Sequence, residues 1–436
     1  MQETFLHHVW QMQYFDKRAL CTCDGEPIVI YQPGTLNPHA GPDFANARLK
    51  IGEIDWVGSV EIHINSSGWL EHNHDQDPAY DSVILHVVWK LDKEIFRKDQ
   101  TQIPTLELSG RVEESLIRTY RQLIGSSFSV PCQKSLRDVE PITKTSMLEK
   151  AMMQRLERKA IEVQGMFERN ANNWEETFFQ LLARSFGFKV NAEPFLRLAG
   201  IAPLRLLMKH ADRRGQLEAL LFGQAGFLES QKGDDYYKKL QQEYGLLSYK
   251  YNLGNTKMSK SQWRFLRLRP ANFPSLRMAQ LAALLNTRHN LFSQMLEAET
   301  LETLNSLLTV QLSDYWMTHY HFSKTTRARL HELGKSSIEA VIINTVIPLW
   351  VAYGKRNDDQ TFMDRALKCL EMLPVEVNAI TKQWKDLGLP AQNSADSQAL
   401  IELFNTFCQR KNCLNCTIGA SLIRPKQNER HSNSHH

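Results

Sequence analysis

Two short stretches of this chain carry residue types that can hold a cation and activate water. One is Gly41-Pro42-Asp43-Phe44; the other is Trp56 to Asn65, WVGSVEIHIN. Side chains on a β-strand alternate between its two faces. Read as a strand, the second stretch puts Val60, Ile62 and Ile64 on one face and Ser59, Glu61, His63 and Asn65 on the other. A carboxylate and an imidazole then project together from a strand whose opposite face is core. Asp43 precedes Glu61 by eighteen residues, room for a strand and a turn to bring the two acids side by side. Converging carboxylates repel unless a cation lies between them, and hard oxygen ligands with open positions suit magnesium or manganese. On this reading Asp43 and Glu61 hold the ion, with His63 beside them.

Three further groups have chemical potential. His72-Asn73-His74-Asp75-Gln76-Asp77 lies between His63 and His86. Imidazoles with a carboxylate suit zinc, iron or manganese, so His72, His74 and Asp77 form a rival or additional ligand set. The alternative is that these histidines hydrogen-bond within a loop or face solvent. His86, inside an apolar run, reads as a hydrogen-bonded core residue, and Glu3 as a further acid from the first helix. Near the C-terminus, Cys408, Cys413 and Cys416 form a C-x4-C-x2-C array. Three thiols this close suit a structural zinc or an iron–sulphur cluster, with a fourth ligand from Cys132, Cys369, Cys21, Cys23 or a histidine. The run from Trp263 to Pro270 interleaves Arg264, Arg267 and Arg269 with aromatic and apolar residues, and Arg277 follows. Guanidinium groups bind phosphate in a fork and aromatics stack bases, so this run is a candidate nucleic-acid contact. The alternative places its apolar residues in the core and its arginines on acids or helix ends. Lys324, Arg327 and Arg329 read as a solvated helix face.

The elements that must position these residues fall into two patterns. Thr4 to Phe15 has helical spacing, while Glu26–Tyr31, Phe44–Ile51, Trp56–Asn65, Val83–Trp89 and Ile103–Leu108 read as strands. A short helix opens at Asp77–Tyr80, with Pro78 in its first turn. Beyond residue 112 the spacing turns helical, with long segments expected at Ser146–Arg169 and Trp174–Phe186 and more to the end. The fold class is α+β: a small mixed-sheet domain at residues 1–110, then a large all-α region at 111–400. A Cys-rich segment at 401–425 and a polar, disordered tail at 426–436 complete the chain.

Composition narrows the function classes. With 436 residues, 42% hydrophobic and 23% charged, the chain matches ordinary globular proteins and has length for two or three domains. Residues 1–110 hold 8 Lys/Arg and 16 Asp/Glu, a net of −8, and seven of the fifteen histidines. The remainder holds 44 and 32, a net of +12. An acidic, His-rich module joined to a basic one fits a metal site coupled to a polyanion-binding surface. The start, MQETFLHHVW, lacks the basic and apolar blocks of a signal peptide. The most apolar window, Ala340 to Tyr353, is interrupted by Asn344, Thr345 and Pro348 and reads as too short for a membrane span. Seven unevenly spread cysteines do not form a secreted disulfide framework. A cytoplasmic protein without membrane contact is expected; oligomeric state is left open.

The pair Pro42-Asp43 followed by Glu61-Ile62-His63 resembles the PD-(D/E)XK phosphodiesterase superfamily, the restriction-endonuclease-like nucleases. That pattern is Pro-Asp, a variable gap, then Asp/Glu-x-Lys; here His63 stands in the lysine place. The resemblance implies a restriction-endonuclease-like core and a magnesium- or manganese-dependent nuclease acting on DNA or RNA, in which Asp43 and Glu61 hold the metal with help from the Ile62 carbonyl and His63 orients or deprotonates the attacking water. It also implies a precedent for a C-terminal iron–sulphur staple completed by one distant cysteine. The histidine leaves open a degenerate core that binds nucleic acid or protein without cleaving. A third reading is a transition-metal enzyme centred on His72, His74 and Asp77. Nearly the whole chain is also similar to an uncharacterised bacterial family, through blocks such as GPDF, GSVEIHINSSGW, HNHDQDPAY, EALLFGQAGFL and CQRKNCLNCTIG.

Overall fold

The computed structural model describes residues 1–326 and 333–425. Arg327, Arg329 and the tail at 426–436 lie outside the described residues. The fold is α+β, a mixed sheet near the N-terminus followed by a large helical region. The chain forms two compact units: residues 1–149 with 383–389 and 401–436, and residues 150–382 with 390–400. The Cys-rich segment thus belongs to the same unit as the sheet.

In the first unit, helix α1 (Glu3–Met12) leads into strands β1 (Ile28–Gln32), β2 (Thr35–Leu36), β3 (Phe44–Ile51) and β4 (Ile54–Asn65). Helix α2 (Gly68–Glu71) and strands β5 (Val83–Lys90) and β6 (Thr105–Glu107) follow, then helix α3 (Glu114–Ile124). The sheet runs β1-β3-β4-β5-β6, with β2 beside β3. β1 and β4 are antiparallel to β3, and β5 runs parallel to both β4 and β6. The expected order of helix, three strands, short helix and strand is present, with the two-residue β2 added. α1 buries Phe5, Leu6, Val9 and Trp10 completely, each side chain worth about 1.5–3 kcal/mol. It packs against β4.

Two local features decide what the sheet can hold. The β3–β4 register shifts between Phe44 and Ala47, where Asn46 takes φ 58°. Asparagine tolerates that left-handed conformation, and such a bulge re-aims the strand end that carries Asp43. The second feature is the parallel pairing of β4 with β5, with Glu61 opposite His86 and His63 opposite Val88. Parallel neighbours need a crossover connection. Here residues 66–82 make it, and they carry His72 and His74 onto the face bearing Glu61 and His63. Alternation alone makes one face of β4 core. In the structure Glu61, Ile62 and His63 are all buried, because the crossover and α1 cover the second face. Trp69 packs there with Val83, Ile95 and Ile103. Gly68 permits the approach: a Cβ at that position would sit 2.7 Å from His63 Cδ2.

In the second unit, most of α4 (Pro141–Arg169) is followed by α5 (Trp174–Phe186), α6 (Phe188–Ile201) and a succession of further helices. A two-stranded hairpin, His319–His321 with Lys324–Thr325, interrupts the helical region. Lys324 is therefore an exposed strand residue rather than part of a helix face. The helical run Lys335–Asn357 is long and apolar enough to cross a membrane, and 72% of its apolar window is buried inside the protein. It runs past the expected apolar window at both ends, and a π-helical turn, Ile342–Val346, keeps it helical through Asn344 and Thr345.

Candidate metal centre

Asp43 is clamped at the mouth of β3. Its N–H donates to Glu61 Oε2 at 3.0 Å, and its own Oδ2 accepts from the Ile62 N–H at 3.0 Å. Its carbonyl accepts from the Asn37 N–H at 2.7 Å. The two acids predicted from sequence are therefore neighbours, tied by reciprocal side-chain–backbone hydrogen bonds. Ile62 meets Asp43 through its N–H, not through the carbonyl expected to serve as a ligand. His7 of α1, which the sequence reading missed, places Nε2 3.2 Å from Asp43 Oδ2, out of line for a hydrogen bond.

Around Glu61 the imidazoles close in. His74 Nε2 lies 3.4 Å and His63 Nε2 3.8 Å from Glu61 Oε1. His63 Nε2 is 3.2 Å from His72 Nδ1. One ligand atom from each of His63, His72 and His74 falls within 4.8 Å of the others. Ligands held about 2.0–2.2 Å from a tetrahedral ion stand roughly 3.3–3.6 Å apart; the His63–His72 and His74–Glu61 spacings are close to that range, and the three imidazoles are near enough together to share one ion. The other nitrogen of His63, Nδ1, is 2.9 Å from His86 Nε2. A ligating histidine usually has its second nitrogen held in this way, which fixes ring orientation and tautomer. His86 is completely buried and agrees with the expected hydrogen-bonded core residue. Tyr80 stacks on His74 at 3.7 Å between ring centroids.

Asp77 does not join this group. Its Oδ1 caps the short helix Pro78–Tyr80 by accepting from the Ala79 N–H at 2.9 Å. Of the expected trio His72, His74 and Asp77, the structure gathers His72 and His74 with His63 instead, and Glu61 lies beside His63 and His74. The turn chemistry of Asp-Pro at a helix start accounts for the difference.

The protonation states show how poorly the cluster is balanced by protein groups alone. Burial, then repulsion from Asp43, pushes Glu61 up to about 9; Glu3 also contributes, which places that acid near the site. Burial, then the neighbouring imidazoles, lowers His63 to about 2, and burial lowers His86 to about 3. His74 is lowered, again mainly by burial. For the contacts of Glu61 with His63 and His74, burial works against the charged form on both sides. Neutral imidazoles offer lone pairs, and a cation reverses the penalty on the carboxylate.

The arginine group divides. Arg264, Arg267 and Arg269 are exposed on the second unit, around a buried Trp263 whose indole donates to the Ala225 carbonyl at 2.9 Å. Arg277 is only 4% exposed. Its guanidinium lies over the Phe188 ring and donates to Gln280, Asn272 and Ser337. Arg277 is thus a core residue and is withdrawn from the nucleic-acid contact. A groove of about 800 Å³ in the same unit is lined by Lys159, Arg169, Arg184 and Lys189 against one acid, Glu162.

Cys408, Cys413 and Cys416 are all buried, as is Cys132, and none of the cysteines forms a disulfide among the described residues.

A family model described as "Protein of unknown function (DUF2851)" matches residues 3–379. No curated protein and no solved structure matches the chain.

Proposed function

The chain belongs to that family of unknown function, and we propose that it is a metal-dependent phosphodiesterase acting on nucleic acid. The observation that carries this reading is the convergence of Asp43, Glu61, His63, His72 and His74 at the mouth of β3 and β4. The strand order and the places of Asp43 and Glu61 support a PD-(D/E)XK-like core. The three imidazoles favour manganese or zinc over magnesium, because nitrogen donors bind the later divalent ions more tightly.

A divalent ion here supplies a water of lowered pKa and positive charge opposite a phosphodiester. The protein's own parts then have separate roles. Glu61 and the three imidazoles hold the ion, and His86 fixes the His63 ring. Asp43, joined to Glu61 by backbone hydrogen bonds, offers a carboxylate to a second coordination position or to the attacking water. The buried setting keeps bulk water from screening these charges. Arg264, Arg267, Arg269 and the basic groove are the proposed contacts to the polyanion. Seven cysteines without a disulfide among the described residues support a reducing compartment, as in the cytoplasm.

The test is cleavage of labelled single- and double-stranded DNA and RNA with magnesium, manganese or zinc, beside Asp43→Ala and Glu61→Ala. Loss of about 10³-fold or more in both variants is expected if the ion carries the chemistry. Cleavage that survives both substitutions rejects the site. Salt-dependent binding without cleavage turns the reading to a degenerate core that binds but does not cut.

A further inference from the structure

Two segments of the second unit, far apart in sequence, meet at the surface. The first is the loop from Trp263 to Arg269. It is anchored at its base: the Trp263 ring meets Phe195 and Phe227 at 5.1 and 5.4 Å. Asn191, only 3% exposed, accepts from the Arg264 N–H and donates to the Arg264 carbonyl, both at 2.9 Å. Beyond that anchor the chain turns outward. The Leu268 N–H reaches the Phe265 carbonyl at 3.3 Å, and Arg267 takes φ 62°, a left-handed conformation uncommon for a side chain of this size. Leu266 is left 85% exposed. The loop presents apolar residues at the surface instead of burying them.

The second segment is the hairpin of His319–His321 with Lys324–Thr325. Asp234 pins it: Oδ2 accepts from the Ser323 N–H at 3.0 Å and from the Tyr315 hydroxyl at 2.7 Å. Tyr315 in turn stacks on His319 at 3.9 Å. Ser275 Oγ, on the helix Pro274–Thr287, donates to the Tyr320 carbonyl at 2.7 Å. Four rings from the two segments then form one group. Phe265 lies 5.2 Å from His321 and 5.3 Å from Phe273, and Phe273 lies 5.2 Å from Tyr320. All four are partly exposed. Burial, then the charges of Lys260 and Lys324, lowers His321 to about 4, so at neutral pH it adds a flat uncharged ring. Cations surround the group: Arg264, Arg267 and Arg269 stand in the loop, and Lys324 pairs with His321 across the hairpin. None of these four is paired with a carboxylate among the described residues.

We infer that Phe265, Phe273, Tyr320 and His321 form a base-stacking platform for single-stranded nucleic acid, with Arg267 and Lys324 on the flanking phosphates. The inference rests on the nucleic-acid reading above for the class of partner and narrows it to unpaired strands. Bases in a duplex stack on one another, so an unpaired base is the one that can lay its face on a side-chain ring. Every base has such a face, so the platform accepts many sequences. The exposed cations beside the rings match the phosphates that accompany each base.

Binding is measured on the full chain in chelator, so that no metal-dependent cleavage intervenes. The probes are a labelled strand of about 12 nucleotides, its duplex, and a strand of the same length whose sugars carry no bases. The wild type is expected to bind the single strand about 5-fold or more tighter than either of the others, a comparison that needs no variant. Phe265→Leu and Tyr320→Leu keep apolar volume but lose the flat ring. Each should lose about 5-fold or more on the single strand, with the baseless strand and the salt slope unchanged. Phe265→Trp should bind as the wild type does. Arg267→Glu and Lys324→Glu should weaken both strands and lower the slope. Equal affinity for the three probes, or leucine variants that bind like the wild type, overturns the inference. So does displacement by polyglutamate as readily as by unlabelled strand, which would make the surface an acidic-peptide site. Single-strand binding that depends on the rings, without cleavage under any metal, supports the platform and rejects the phosphodiesterase. Cleavage that needs Asp43 and Glu61 but ignores the ring variants does the reverse.

Discussion

Glu61 in the first unit and Glu218 in the second are both buried carboxyls, and both are pushed upward chiefly by burial, to about 9 and about 7. Their surroundings differ in kind. Glu218 Oε2 accepts from the Tyr236 hydroxyl and from the Trp316 indole N–H. Tyr236 stacks on Tyr315, whose hydroxyl donates to Asp234. Neutral donors aimed at an acid satisfy it in place. Glu61 instead faces another carboxylate and imidazoles that burial keeps neutral. A buried acid met only by neutral donors is satisfied in place; a buried acid set against a second carboxylate, with one backbone N–H to offset it, is stabilised by a cation. The pKa direction is the same in both places, so only the partners separate a structural acid from a ligand.

The largest effect expected from this contrast is on metal binding. His72→Ala and His74→Ala each remove a proposed ligand while leaving Asp43 and Glu61 paired. Each should weaken zinc or manganese binding by at least about 10–100-fold, the range seen even for outer partners of metal ligands. Glu218→Gln should leave it unchanged. Calorimetric titration of the metal-free chain distinguishes the cases. Equal affinity in wild type and both histidine variants would mean that Glu61 waits for nothing and that its burial is structural.

The next effect is on stability against pH, and it belongs to Glu218. A folded value of about 7 against 4.5 means that the native state binds the extra proton between those limits. Stability is therefore greatest below 4.5 as far as this group is concerned, falls as pH rises towards 7, and stays low above it. The span corresponds to about 3 kcal/mol. Glutamine keeps an oxygen to accept from Tyr236 and Trp316 but cannot ionise. The difference in unfolding free energy between Glu218→Gln and wild type should grow by about 2–3 kcal/mol from pH 5 to pH 8. Urea unfolding at both pH values measures it, and parallel profiles would show that Glu218 is not held neutral by its site.

Much of the sheet was legible from alternation, and β3 starts and ends at the expected residues. The nearness of Asp43 and Glu61 was legible too, because two adjacent antiparallel strands bring residues eighteen apart to one edge. The membership of the histidine cluster was not. It depends on the path of the crossover between parallel strands, and no local spacing reports that path. Asp77 shared the composition of a ligand but was taken by its own helix cap. His7 was invisible as a partner of Asp43 because the two lie far apart along the chain. Arg277 looked like Arg264, Arg267 and Arg269 in sequence. Only the packing shows the Phe188 ring and the acceptors of Asn272, Gln280 and Ser337 that take it inside.

The same partner test extends to the arginines and gives the smallest effect. Arg277→Ala removes a buried cation from three acceptors and should cost about 1–3 kcal/mol of stability, with little change in the salt dependence of nucleic-acid binding. Arg267→Glu and Arg269→Glu should do the reverse. Exposed cations add little to folding, but each phosphate contact they make contributes about one to the slope of log affinity against log salt. Binding of a labelled oligonucleotide between low and physiological salt reads that slope directly. A slope that Arg277→Ala lowers while Arg267→Glu and Arg269→Glu leave it untouched would place the polyanion away from this surface. The basic groove around Arg169 and Lys189 would then be the surface to substitute next.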